Sequence, residues 1–328
     1  MTGREDWTTY LAIRAAWLSY VGGCTQGEIA ARLDVSPAKV HRLIAHAQRA
    51  GHVRFHIEGR PVECLEYEDR LTRSFGLNNC IVAPDLGAQA GDEEASIRAV
   101  GSAAGHLLAQ VLASPDIAQV GVGMGRTLKA AISAMPRIAR PDLSIVSISG
   151  SLTRRLSANP YDVVQLLSER TGGEGFYLPV PYLAASVAEK DMFLGQPSVQ
   201  ELLQRARRCD TFVIGIGSLG DEGHLYRMEL ISRDEQRSLC ESGAVGDLMG
   251  RFLDRGGAAV PASLSEKAVG LGYEDVRGSR VLALAGGLSK TSAVLSSLRT
   301  GVITDLVVDE GLAQSLCAAM EERVAQPA

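Results

Sequence analysis

Residues 25–48, TQGEIAARLDVSPAKVHRLIAHAQ, hold two short amphipathic runs divided by a turn. Thr25 stands three residues before Glu28, the spacing at which a hydroxyl and a carboxylate each reach back to an orphan amide and start a helix. That helix carries Ile29, Ala30 and Leu33 inward. Asp34 and Val35 make the turn, Ser36 is a good N-cap, and Pro37 fits the first helical position, where its missing N–H costs nothing. A further helix is predicted from there. On a 100° wheel Val40, Leu43, Ile44 and Ala47 form one apolar stripe, while Ala38, Arg42, Ala45 and Arg49 point away from it and Lys39, His41 and His46 flank that outward side.

Working outward, Leu11, Ile13, Trp17, Leu18 and Val21 recur at mostly helical spacing, which predicts a first helix from about Tyr10 to Val21, ended by Gly22 and Gly23. After Gly51, read as a C-cap, Val53, Phe55 and Ile57 alternate with Arg54 and His56 as a small strand or wing would. Three helices with a sharp turn before a basic, small-faced third describe a helix-turn-helix, whose last helix enters the major groove of DNA. Small residues let that helix approach closely, and arginine forks suit phosphate oxygens or the edge of guanine. A solvated basic helix hairpin needs no ligand, but here turn, caps, wheel and local charge agree. The candidate DNA-contacting residues are Thr25, Gln26, Ser36, Ala38, Lys39, His41, Arg42 and Arg49, with Arg42 and Lys39 foremost.

The charge distribution agrees with this. Residues 1–60 contain eight Lys or Arg against five Asp or Glu, and the remainder contains 25 against 33, so a mildly basic head precedes an acidic body. Only the head attracts a polyanion. With 328 residues and 46% apolar content the chain can fill a sizeable core. Its six cysteines form no C-x-x-C pair and no zinc-spaced cluster with histidine, so they read as reduced thiols; no metal and no cofactor is implied. The N-terminus MTGREDWTTY lacks the features of a secretory signal, and no apolar stretch approaches the ~20 residues needed to span a bilayer. A cytoplasmic protein without a membrane partner is expected.

Beyond Pro61, which opens a link into a helix over ECLEYEDRLTRSFGL (63–77), short apolar runs alternate with helical stretches. The runs are 80–84, 119–123, 143–149, 211–217, 280–287 and 304–310; the helices fall at 93–113, 160–170, 197–208 and 289–300. This order predicts an α/β fold, a Rossmann-like parallel sheet covered on both faces, with ligands bound beyond the carboxyl ends of the strands. The domains are expected at 1–58 and 59–328.

Glycines and hydroxyls gather at those strand ends. GVGMGRTL sets Gly123 and Gly125 before Arg126 and Thr127 at a helix start, an amide cradle for an anion, though without the spacing or the later acidic residue of a dinucleotide site. SISGSL brings Ser149, Gly150 and Ser151; GIGSLG brings Gly217 and Ser218; AGGLSKTS places Lys290 at a helix start, a partner for phosphate or carboxylate. GAVGDLMGRFLD (243–254) adds a carboxylate. Asp247 is read either as an acceptor for sugar hydroxyls, with Arg251 one turn further on for an anion, or as the cap of a glycine-rich turn. Asn159 before Pro160 is read as a helix cap.

These motifs, together with NPYDVVQLL, LPVPYLA, VIGIGSLG and ALAGGLSK, resemble the SorC family of bacterial transcriptional regulators in order and over nearly the whole chain. The resemblance implies a sugar-phosphate isomerase-like effector domain, a sugar, sugar phosphate or polyol as effector, and a homo-tetramer on operator DNA. Carried over by position, the effector contacts are Gly123, Gly125, Thr127, Ser149, Gly150, Ser151, Gly217, Ser218, Asp247 and Lys290. Met124 departs from a usual tryptophan, which bears on pocket size, and Pro37 from a frequent basic residue at the start of the third helix. The rival reading is a sugar-phosphate isomerase-like enzyme with Asp247 as base. No Ser-His-Asp order, metal set or paired carboxylates stand out, so a regulator without catalytic residues is expected.

Overall fold

The computed structural model describes residues 3–53, 59–87, 91–151, 163–220 and 223–325. The chain divides into two compact units, Met1–Glu58 and Gly59–Ala328. In the first, helix α1 (Gly3–Ala16) starts well before the expected Tyr10 and continues into one π-helical turn, Trp17–Val21. Its polar first turns carry no apolar periodicity to announce them. Helix α2 (Gln26–Leu33) opens on a closed capping box: the Thr25 hydroxyl accepts the Glu28 N–H, and the Glu28 carboxylate accepts the Thr25 N–H at 2.8 Å. That hydrogen bond also holds the Glu28 carboxyl below the usual carboxylate range. Asp34 ends α2 at φ 52°, a left-handed conformation that short polar side chains tolerate. Ser36 then accepts the Lys39 N–H, and Pro37 leads α3 (Pro37–Arg49). Leu11, Ala12, Ala15, Ile29, Val40, Leu43 and Ala47 close the core of this unit. The wing expected near residues 53–57 falls largely on 54–58, outside the described residues, as does the cap expected at Asn159.

The second unit runs α4 (Val62–Phe75), β1 (Asn79–Ala83), α5 (Glu93–Ala113), β2 (Gln119–Val122), α6 (Arg126–Ala134), β3 (Ser144–Ser147), α7 (Val163–Thr171), β4 (Glu174–Phe176), α8 (Val187–Leu194), α9 (Pro197–Arg207), β5 (Thr211–Gly215), β6 (Gly217–Ser218), α10 (His224–Arg227), α11 (Arg233–Glu241), β7 (Ala244–Leu248), β8 (Arg251–Asp254), α12 (Ser263–Lys267), β9 (Arg280–Ala285), α13 (Thr291–Arg299), β10 (Asp305–Asp309) and α14 (Glu310–Ala325). Seven strands form one parallel sheet in the order β1-β10-β9-β5-β2-β3-β4. Strands such as TFVIG and DLVVD are buried almost throughout, as a sheet covered on both faces requires. Helices α4, α9, α13 and α14 pack one core and α5, α6 and α7 the other.

From β2 the chain builds outward to β3 and β4, then returns to β5 on the other side of β2 and proceeds to β9 and β10. The strand order thus reverses between β2 and β5, and a crevice opens beyond their carboxyl ends.

A second, antiparallel sheet, β6-β7-β8, has no counterpart in the sequence reading. GAVGDLMGRFLD is a hairpin, so Asp247 and Arg251 are not one helical turn apart: Asp247 pairs with Phe252, and Leu248 with Arg251. The two-residue tip, Met249-Gly250, has φ 52° and 77°. Such turns usually announce themselves as Asn-Gly or Asp-Gly, and methionine hides the signal.

Candidate functional site

In the N-terminal unit the buried stripe of α3 is Val40, Leu43 and Ala47. Thr25, Gln26, Ser36, Ala38, Lys39, His41, Arg42 and Arg49 are all exposed. Gln48 donates to the Tyr20 hydroxyl at 2.7 Å, tying the far end of α3 to the π-helical turn.

In the second unit a cavity lies at the β2/β5 reversal, where ligands of such sheets bind. Nine of the eleven candidate effector residues line it: Gly123, Gly125, Arg126, Thr127, Ser149, Gly217, Ser218, Asp247 and Lys290. The Gly123 N–H donates to the Val213 carbonyl at 2.9 Å, prolonging the β2–β5 pairing to the rim. Gly125 caps α6 at φ 137° without a side-chain hydrogen bond, leaving the first amides of that helix without an intrahelical partner. Two candidates turn elsewhere. A Cβ on Gly150 would lie 2.3 Å from the Pro181 carbonyl oxygen, so that glycine serves a close backbone approach. The Ser151 N–H donates to the Val180 carbonyl, and the residue lines a separate cleft with Leu183, Glu189 and Lys267. Arg251 is also away from the cavity, 4.0 Å from Glu274 and donating to the Ser265 carbonyl.

The charged groups are held by named contacts. Asp247 is only 8% exposed; its carboxylate accepts from the Gly250 N–H and meets the Tyr182 hydroxyl at 3.4 Å. Burial pushes its carboxyl above the ordinary range, with the Gly250 N–H, Lys290 and Tyr182 pulling the other way. Burial likewise raises Tyr182 well above the usual phenol range, so it remains a donor. Lys290 donates to the Ile216 carbonyl at 2.8 Å, and burial lowers its ammonium. Arg126 pairs with Glu93 at 2.6 Å and Glu94 at 3.4 Å. His224 is lowered to about 4 by burial and by the cations Lys290, Arg126 and Arg227.

Glu93, Tyr182, His224, Met249 and Leu271 also line the cavity and were not singled out in sequence. Glu93 reads there as a helix-start carboxylate, and Tyr182 as part of an apolar segment. Met124, on the rim, packs against the small core of the antiparallel lobe.

Residues 59–318 match the family model described as "Putative sugar-binding domain". The chain is 36% identical over 306 residues to the "Erythritol catabolism regulatory protein EryD" of Brucella abortus, covering 93% of this chain and 96% of that one. The full-length sorbitol operon regulator SorC of Klebsiella pneumoniae superposes with a TM-score of 0.68 at 24% identity, covering 94% of this chain and 98% of that one. The chain belongs to the SorC family of transcriptional regulators. The LsrR regulator of an Escherichia coli O139:H28 strain, 28% identical over 311 residues and covering 92% of this chain and 93% of its own length, is named likewise as a transcriptional regulator. In this SorC-family regulator the matched domain is the α/β unit that holds the cavity. Among the described residues no cluster of three His, Cys, Asp or Glu suits a metal ion, and no helix is long and apolar enough to cross a membrane.

Proposed function

We propose that this regulator controls a carbohydrate or polyol catabolic operon, reading operator DNA with α3 and sensing a sugar, sugar phosphate or polyol in the β2/β5 cavity. The observation that carries the reading is the convergence there of a buried carboxylate, Asp247, with the hydroxyls of Thr127, Ser149 and Ser218. A carboxylate accepts from ligand hydroxyls, and protein hydroxyls both donate and accept, which is the chemistry of carbohydrate recognition. Lys39, His41, Arg42 and Arg49, exposed around α3, are the DNA-facing set, with Thr25, Gln26, Ser36 and Ala38 beside the groove. Two such heads related by a dyad meet half-sites ~10 bp apart. The protein acts in the cytoplasm as a homo-oligomer, a tetramer by family resemblance. An effector shifts operator occupancy only if it binds the DNA-competent and incompetent arrangements unequally.

The cavity binds without catalysing. Asp247 is tied to Tyr182 and the Gly250 amide, and the relatives are named as regulators. Purified protein challenged with sugars, polyols and their phosphates is expected to gain thermal stability and change its operator affinity without consuming the ligand. Steady product formation overturns this reading in favour of an isomerase-like enzyme, and absence of salt-sensitive operator binding removes the DNA-reading role.

A further inference from the structure

The charges that line the cavity balance in number, and the guanidinium among them is neutralised by direct contact. Arg126 is held by Glu93 at 2.6 Å and by Glu94 at 3.4 Å. Arg227 approaches Glu93 from another side at 3.8 Å, so this carboxylate is already the focus of two guanidinium groups. Lys290 spends a donor on the Ile216 carbonyl at 2.8 Å. Opposite these cations stands Asp247, buried and inside the same cavity. Lining carboxylates and lining cations are thus two and two, Glu93 and Asp247 against Arg126 and Lys290.

A phosphate monoester brings roughly 1.5 to 2 negative charges at neutral pH. To reach Arg126 it must compete with Glu93 for the guanidinium and lie close to that carboxylate, in one cavity with Asp247. A neutral polyol meets neither cost. It finds the hydroxyls of Thr127, Ser149 and Ser218, none of which hydrogen-bonds another described residue, together with the acceptor oxygens of Asp247. The uncapped start of α6 offers about half a positive charge, less than either lining carboxylate carries, and its amide N–H groups can donate to a hydroxyl oxygen as well as to an anion.

We propose that the cavity takes an uncharged polyhydroxylated effector and that Glu93, by occupying Arg126, turns away the phosphate ester of the same compound. This rests on the effector-cavity reading above and narrows it.

The test is calorimetric titration of the full-length protein with erythritol, ribitol and sorbitol, each against its terminal monophosphate, with inorganic phosphate as the anion control. The parent is expected to bind at least one neutral polyol tenfold or more tighter than its phosphate, and Glu93→Gln to move that ratio at least tenfold toward the phosphate. A parent that prefers the phosphate tenfold overturns the inference and leaves the effector reading standing, as does a folded Glu93→Gln protein with an unchanged ratio. Failure of the parent to bind these ligands or any of the wider panel of sugars and sugar phosphates defeats the effector reading and the inference with it. If Glu93→Gln does not fold, the parent's own preference still decides.

Discussion

Gly217 has no room for a side chain: a Cβ there would lie 1.8 Å from Oδ1 of Asp247, its partner across the β6–β7 pairing. The glycine thus exists for the carboxylate, and the carboxylate is expensive to keep. Because burial raises the Asp247 pKa, its ionised form opposes folding at neutral pH. Asp247→Asn is therefore expected to raise the melting temperature of the effector-free protein at pH 7 while abolishing the ligand-induced shift; a lower melting temperature would show that the carboxylate stabilises the fold. His224 carries the opposite pH dependence. Its folded value, about 4, lies below the ordinary 6.5, so the unfolded chain takes up the proton first and stability is lost as pH falls from 6.5 toward 4. Asp247 works in the opposite sense, its raised carboxyl adding stability when acid protonates it, so urea unfolding at pH 7, 6 and 5 is compared between parent and His224→Gln, whose decline is expected to be shallower.

Caps decide where the head's helices begin, and caps are local, which is why Thr25 and Ser36 were readable from the sequence. Ser36→Ala removes the acceptor for the Lys39 N–H and is expected to cost the head about 1 kcal/mol, seen as faster amide exchange along α3 and weaker operator binding. The six apolar runs became strands within a few residues of their expected ends because the parallel sheet buries them on both faces. What escaped notice is what local pattern does not encode. Strand β4 is three residues long and only half-buried, and the β7–β8 hairpin turns on a methionine where asparagine would advertise it. Glycine and hydroxyl clusters located the rim of the cavity. They did not reveal that Gly150 faces the Pro181 backbone, or that Glu93, thirty-three residues before Arg126, answers its charge. Contacts between strand tips arise from sheet order, and the order is set by the whole domain.

The two units divide the charge between them, a basic head of residues 1–60 and an acidic body. Operator affinity of the intact protein is accordingly expected to fall steeply with salt. Arg42→Ala, on the exposed face of α3, is expected to cost roughly 1–3 kcal/mol if the guanidinium reads a base, or to lower the salt slope by about one if it neutralises a phosphate, with effector-induced stabilisation unchanged. Loss of that stabilisation as well would make Arg42 a folding residue, and filter binding across a salt series beside a melting curve distinguishes the cases. The cavity has a wider reach than its size suggests, since its walls come from the starts of α5 and α6, the tips of β3, β5 and β7, and Lys290 ahead of α13. A small molecule seated among them bears on several sequence-distant stretches of polypeptide at once, so a protease able to nick the empty domain at scattered loops would find every one of those cuts slowed in concert once the molecule is aboard.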